Sequence, residues 1–239
     1  MKNIEINAFN LAYEWNSSKI ILRNVQFSYQ EGDIICLLGN NGAGKSTLLK
    51  ICAGILKPTL GSVAVIQNGK ILAENDKIIK TLAWLPQQLN RPEHFSVKEF
   101  LTLQDVHSIR KHLLVQESFI FKVLNAFEIA HLYEAELKQL SGGEWKRVQL
   151  ARIWLQEANI VFMDEPDSDL DLKYKYLLIE YCKNYVKENK AILFLITHDL
   201  NFAKNIATKI CALKEGLWVW DSNAMNFLDS KIINKLYDL

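Results

Sequence analysis

Nine consecutive residues, Gly39-Asn40-Asn41-Gly42-Ala43-Gly44-Lys45-Ser46-Thr47, have the spacing G-x-x-x-x-G-K-[ST] in full. Glycine suits positions 39, 42 and 44, because a tightly bent backbone can then turn its N–H groups onto phosphate oxygens that a Cβ would hold off. Lys45 supplies a cation for β- and γ-phosphates, and the Ser46 hydroxyl a ligand for Mg²⁺. The helix predicted to start here points its positive end at the same anion. At average residue usage the pattern arises by chance in about one chain in a hundred of this length, so an ordinary glycine turn is the weaker reading.

Further along, the apolar run Asn159-Ile160-Val161-Phe162-Met163 closes on Asp164-Glu165. Behind a phosphate loop, such a pair suits Asp164 to hold Mg²⁺ through water and Glu165 to polarise an attacking water. His198 follows the next apolar run, Ala191 to Ile196, from where it could meet the γ-phosphate and that water. Gln87, after Trp84-Leu85-Pro86, could touch Mg²⁺ and water in the same way, although a glutamine beside proline also reads as plain loop. Ser141-Gly142-Gly143-Glu144 has capping-box spacing at the start of a helical pattern, which leaves an open helix N-terminus for an anion. Tyr13 either stacks on adenine or packs within its strand, since it alternates with Phe9, Leu11 and Trp15. His94, His107, His112 and His131 have no ligand spacing.

Positioning these groups requires strands that end at a common edge. Ile34 to Leu38 reads as a buried strand entering the phosphate loop, and Leu48, Leu49, Cys52 and Ile55 mark the helix leaving it. Residues 4 to 15, with Phe9, Leu11, Tyr13 and Trp15 on one face, and Ile20 to Tyr29 predict an antiparallel β layer. Ser62 to Gln67 with Asn68-Gly69 adds a hairpin signal, and Thr81 to Gln87 a strand halted by proline. From Gln87 to Leu140 strand signals are few and the apolar spacing is helical, which predicts an inserted helical lobe. Beyond the helix at 140 to 155 come the 159 to 163 strand, a helix through Leu170, Tyr174, Leu177, Tyr181 and Tyr185, and the 191 to 196 strand. A helix near Phe202 and Ile206, strands at 210 to 213 and 217 to 220, and a helical terminal segment over 223 to 239 complete the pattern.

Composition narrows the classes. The chain has 239 residues, enough for one domain with a substantial core. Its 28 Lys and Arg against 27 Asp and Glu leave a net charge of +1, which gives no electrostatic footprint for nucleic acid. Cys36, Cys52, Cys182 and Cys211 are far apart without metal-ligand spacing and read as core thiols in a reducing compartment. The start lacks a signal-type apolar region and the apolar runs are too short to span a bilayer, so the expectation is a soluble cytoplasmic protein.

Taken together, Gly39 to Thr47, Gln87, Leu140-Ser141-Gly142-Gly143-Glu144, Asp164-Glu165, Ser168-Asp169-Leu170-Asp171 and His198 resemble the nucleotide-binding subunit of ABC transporters in order and spacing. LSGGE is the specific element, and the resemblance spans nearly the whole chain. It implies an α/β fold: a P-loop NTPase core with an antiparallel β layer and an inserted α-helical subdomain. It implies one domain, with residues 1–87 and 156–239 as core and 88–155 as the helical part carrying LSGGE. It further implies ATP and Mg²⁺ as cofactors and ATP hydrolysis coupled to transport. A head-to-tail homodimer would place Ser141 and Gly143 on the γ-phosphate of the partner's ATP, alongside Gly142 and Glu144. Membrane permease subunits would hold the protein on the cytoplasmic face of the cell membrane, and a periplasmic or extracellular binding protein would act indirectly. Asn40, Glu144, Asp167 and Asp169 depart from the residues usual in the family, and the added acids bear on Mg·ATP binding and on the dimer contact.

Two finer expectations follow. A permease groove is expected beside Gln88 to Leu103, where Phe95, Val97, Phe100 and Leu101 come directly after Gln87; the alternative is that these residues form the core of the lobe. Leu140 to Trp145 with Arg147-Val148, Leu85-Pro86-Gln87-Gln88, and His198-Asp199-Leu200-Asn201 look like the importers of cobalamin, iron-siderophore complexes and haem. Trp145 is either part of that likeness or a surface aromatic on the first helical turn. The alternatives for function are a zinc or manganese importer and a soluble ABC-type ATPase, for example in iron–sulfur assembly.

Overall fold

A computed structural model describes residues 3–16, 19–74, 82–102, 117–224 and 236–237. Ten strands form one sheet: β1 (Ile4–Trp15), β2 (Lys19–Gln30), β3 (Ile34–Leu38), β4 (Leu60–Gln67), β5 (Lys70–Glu74), β6 (Leu82–Leu85), β7 (Ile160–Asp164), β8 (Ile192–Ile196), β9 (Lys209–Lys214) and β10 (Leu217–Asn223), in the order β5-β4-β1-β2-β10-β9-β3-β8-β7-β6. Among the described residues six α-helices accompany them: α1 (Lys45–Cys52), α2 (Val97–Thr102), α3 (Glu117–Ala126), α4 (Gly142–Leu155), α5 (Leu172–Asn189) and α6 (Leu200–Ile206). The terminal segment predicted as helix lies largely outside the described residues.

Strands β9, β3, β8, β7 and β6 run parallel, and β3, β7 and β8 are buried along their whole length. Such strands must be apolar on both faces, which is why their sequences are uninterrupted hydrophobic runs. Alternate residues divide between two cores. Ile34, Cys36 and Leu38, with Val161, Met163, Leu193 and Leu195, face the helical side formed by α2 to α6. Ile35 and Leu37, with Phe162, Phe194 and Ile196, face α1 and the antiparallel strands β1, β2 and β4. On that second side Phe162 stacks on Phe194 with ring centroids 4.9 Å apart. All four cysteines are buried and free.

Three expectations change. Phe9, Leu11, Tyr13 and Trp15 do not share a face: Asn10 adopts φ 50, the register with β2 shifts between Ala8 and Leu11, and Phe9 and Trp15 are 52% and 55% exposed while Leu11 is buried. A bulge inserts one residue and reverses the alternation, a local event that counting by twos cannot foresee. Asn24 at φ 50 does the same in β2, and the side chains of Gln26 and Asn10 hydrogen-bond across the pair. Ile55 is not on the helix after the phosphate loop, which stops at Cys52; Gly54 turns at φ 71 and Ile55 is 41% exposed.

The third concerns the stretch read as a permease groove. Val97, Phe100 and Leu101 are buried, and Phe95 packs against the same core. Phe100 lies 5.0 Å from the buried ring of Trp145, so neither is a surface aromatic. Arg91 lies over Trp145 and donates to the Leu140 carbonyl at 2.6 Å, fixing the approach to α4. Val97, Phe100 and Leu101 therefore belong to the core of the lobe, which is the alternative reading, while Phe95 is half-buried at its margin.

Candidate functional site

Parallel pairing brings the predicted residues to one edge. Leu85 is level with Met163, Asp164 with Ile196, and Leu37 with Ile196, so β6, β7, β8 and β3 all end at the same height. Gln87 therefore follows β6, Glu165 follows β7, His198 follows β8 and the phosphate loop follows β3. This is the crevice beyond the carboxyl ends of parallel strands.

Within the loop the three glycines have positive φ, at 147, 79 and 102 for Gly39, Gly42 and Gly44. Their reasons differ. A Cβ on Gly39 would lie 2.2 Å from the Leu213 carbonyl oxygen, and one on Gly44 2.9 Å from that of Ile21, whereas at Gly42 nothing lies within 4 Å. Close approach to β9 and β2 thus explains 39 and 44, while backbone conformation alone explains 42. Asn40 and Asn41 are exposed and Ala43 buried. Lys45 is 6% exposed and its ammonium donates to the carbonyls of Gly39 at 2.8 Å and Asn40 at 3.0 Å. Burial pushes its pKa down, with Glu165 and Asp164 pulling the other way. Ser46 and Thr47 sit on the first turn of α1, half-buried.

Asp164 is 3% exposed and burial raises its pKa, against the Ser46 hydroxyl that hydrogen-bonds to it. Among the described residues, its Oδ1 has no donor. A buried carboxylate oxygen without a partner is costly unless a cation sits there, and the adjoining Ser46 hydroxyl completes an oxygen donor set that suits Mg²⁺. Glu165 takes φ 52, rare for a non-glycine residue, and its Oε1 lies 3.3 Å from Nε2 of the half-exposed His198. A cleft of about 360 Å³ opens beside this pair, lined also by Ser168, Asp169 and Lys175.

Of the extra acids, Asp167 is buried and accepts from Thr197 Oγ1 at 2.9 Å, with Lys175 Nζ at 3.9 Å; Lys175 also pairs with Asp199 at 2.9 Å. Asp167 is thus built into the wall of the edge, while Asp169 at φ 62 is exposed. Ser141 and Glu144 form the reciprocal cap of α4: the Glu144 amide donates to Ser141 Oγ at 3.3 Å, and the Ser141 amide and hydroxyl donate to Glu144 Oε2 at 2.8 and 2.7 Å. Those two donors hold the Glu144 carboxyl below its usual range. Ser141 and Gly142 are exposed and Gly143 is half-buried beside Asp169. Of this end of α4, Gly143 comes near Asp169, which lines the cleft beside Glu165 and His198.

Tyr13 pairs with Leu22 and packs half-buried against the antiparallel-side core. Trp15, which sequence reasoning treated as a strand-face residue, is instead exposed opposite Lys19, at the tip of the hairpin whose Ile21 touches Gly44. Its place at the end of the ladder, rather than its strand face, sets its exposure. Lys146, also missed, is 4% exposed and donates to the Glu165 carbonyl at 2.8 Å. A lysine inside a helical pattern gives no sign of burial.

The family model described as ABC transporter matches residues 22–168. A hemin import ATP-binding protein, HmuV of Aliivibrio fischeri, is 30% identical over 99% of this chain and 92% of its own length. A zinc import ATP-binding protein, ZnuC of Acinetobacter baylyi, is 32% identical over 85% of this chain and 71% of its own. Among solved structures, a dimeric ATP-binding cassette in a post-hydrolysis state with ADP and Pi superposes with a TM-score of 0.79 at 24% identity, covering 93% of this chain and all (100%) of that one; at this identity the likeness speaks for the fold.

Proposed function

The chain belongs to the ABC transporter ATP-binding family, and from that premise we propose that it is the ATP-hydrolysing motor subunit of an importer for haem, iron–siderophore complexes or cobalamin. It is an ATPase of an import system by family; the cargo and the residue roles are the proposal. One observation carries the residue roles: Lys45, Asp164, Glu165 and His198 stand together at the carboxyl edge of β3, β7 and β8, and the buried Asp164 Oδ1 has no partner among the described residues.

On this reading the backbone of residues 39 to 44 and the start of α1 hold the phosphates, and the Lys45 ammonium exchanges the Gly39 and Asn40 carbonyls for phosphate oxygens. Ser46, Asp164 and Gln87 would hold Mg²⁺, which would supply positive charge to offset that developing on the phosphates. Glu165 takes a proton from the water whose oxygen bonds to the γ-phosphorus as the bond to the bridging oxygen breaks and ADP leaves, and His198 orients Glu165. Trp15 rather than Tyr13 stacks on the base, because the Tyr13 ring already packs on the core. Residues 88–155 act as the helical part and residues 1–87 and 156–239 as the nucleotide-holding core.

The open N-terminus of α4, with Ser141, Gly142, Gly143 and Glu144, leaves Ser141 and Gly142 exposed, which supports a head-to-tail homodimer in which it caps the partner's ATP. Among the described residues no helix is long and apolar enough to cross a membrane, in keeping with attachment to permease subunits at the cytoplasmic face. A binding protein would act through the permease, and the near-neutral charge gives no reason to invoke nucleic acid. Since relatives include both hemin and zinc importers, growth decides the cargo. A deletion strain should fail on scarce haem, chelated iron or cobalamin. Normal growth on all three with a defect only under zinc or manganese limitation would move the assignment to a metal-ion importer, and no transport defect at all would favour a soluble ATPase.

A further inference from the structure

The carbonyl of Glu165 collects donors. Lys146 Nζ from α4 reaches it at 2.8 Å, Ser168 Oγ at 2.9 Å and the Ser168 amide at 3.3 Å. This is the residue held at φ 52, a conformation that a non-glycine residue keeps only when its surroundings impose it. Two of the three donors belong to the same turn, and the third crosses from another helix. At the far end of that turn α4 makes a second contact: a Cβ on Gly143 would lie 3.3 Å from the Asp169 carbonyl oxygen. The helix whose open end carries Ser141 thus bonds the catalytic turn at Glu165 and approaches it again at Asp169.

The ammonium is expensive where it is. Lys146 is 4% exposed, and its desolvation lowers its pKa, although Asp169, Asp167, Glu165 and Asp164 favour the charge. Lys175 already serves Asp167, and Asp169 faces solvent. A neutral side chain of equal length would fill the space at lower cost, so fold stability alone does not account for a cation here.

We propose that Lys146 is a positioning residue for hydrolysis: by gripping the Glu165 carbonyl it fixes the direction of the Glu165 carboxylate and ties it to the α4 end. This rests on the reading of Glu165 as the base. Misaiming a reacting group by a fraction of an ångström costs rate rather than affinity, so the effect should fall on kcat.

The test is steady-state phosphate release and ATP affinity of the whole chain in wild-type, K146M, K146Q, S168A and K146Q/S168A forms. K146M should lose roughly ten- to a hundredfold in kcat, with the Kd for ATP within about twofold. K146Q, which keeps a donor, should recover most of the loss, and adding S168A to it should cost more than the product of the two single effects. Wild-type kcat in K146M, or equal loss of kcat, affinity and melting temperature without rescue in K146Q, would overturn the role. Should K146M fail to fold, K146Q and S168A that simply multiply would overturn it equally. Full activity in E165Q would instead sink the assignment of Glu165, and with it both readings.

Discussion

Glu165 Oε1 and His198 Nε2 stand 3.3 Å apart although 33 positions separate them in the chain, because β7 and β8 pair in parallel and end together. The carboxylate is three-quarters buried and the imidazole open to the cleft that both line.

Replacing Glu165 by glutamine keeps a polar group beside His198 but removes the base. Hydrolysis should fall by about 10²- to 10⁴-fold while ATP binding persists. Phosphate release checks the first, and size-exclusion chromatography with Mg·ATP should show a dimer. A variant that still turns over at the parent rate, or stays monomeric, contradicts the proposal.

Asp164 gives the opposite pairing of stability and function. The substitution Asp164→Asn would leave the volume and the Ser46 contact but remove a buried charge whose Oδ1 has no donor among the described residues. In metal-free buffer D164N should melt at the same or a higher temperature than wild type, yet lose Mg²⁺-dependent hydrolysis. A clear drop in melting temperature would show that the charge serves the fold.

The loop glycines should respond unequally. Gly39→Ala sets a methyl 2.2 Å from the Leu213 carbonyl oxygen and should cost about 3 kcal/mol of overpacking. Gly42→Ala meets nothing within 4 Å and should cost only about 1–2 kcal/mol for its left-handed backbone. Thermal denaturation of the two variants without nucleotide orders them; equal losses would contradict the contact argument.

For the base stacker the two hairpin aromatics separate cleanly. Trp15→Ala should weaken ATP binding about tenfold, the scale of one aromatic–base stack, and leave stability nearly unchanged. Tyr13→Ala should instead lower stability by about 1 kcal/mol or more through lost packing. Calorimetric titration and melting curves distinguish them, and the reverse pattern would restore Tyr13 to the site.

What the sequence by itself determined were features written in contiguous residues. The phosphate loop, the Ser141–Glu144 cap and the buried runs of β3, β7 and β8 follow from local spacing, since parallel strands covered on both faces must be apolar throughout. The order of strands was not so written. Only the tertiary structure decided that β8 lies between β3 and β7, and hence that His198 meets Glu165, because pairing is a competition among all strands. Bulges at Asn10 and Asn24 changed which side chains of β1 and β2 face the core, burying Leu11 after the exposed Phe9, while Trp15 is exposed at the end of the ladder opposite Lys19. Phe100 and Trp145, each readable as a surface residue in its own helix, became core only when α2 met α4. The Lys146 ammonium became a tether for Glu165 for the same reason: burial and hydrogen-bond partners belong to the packing of elements, not to the period of any one of them.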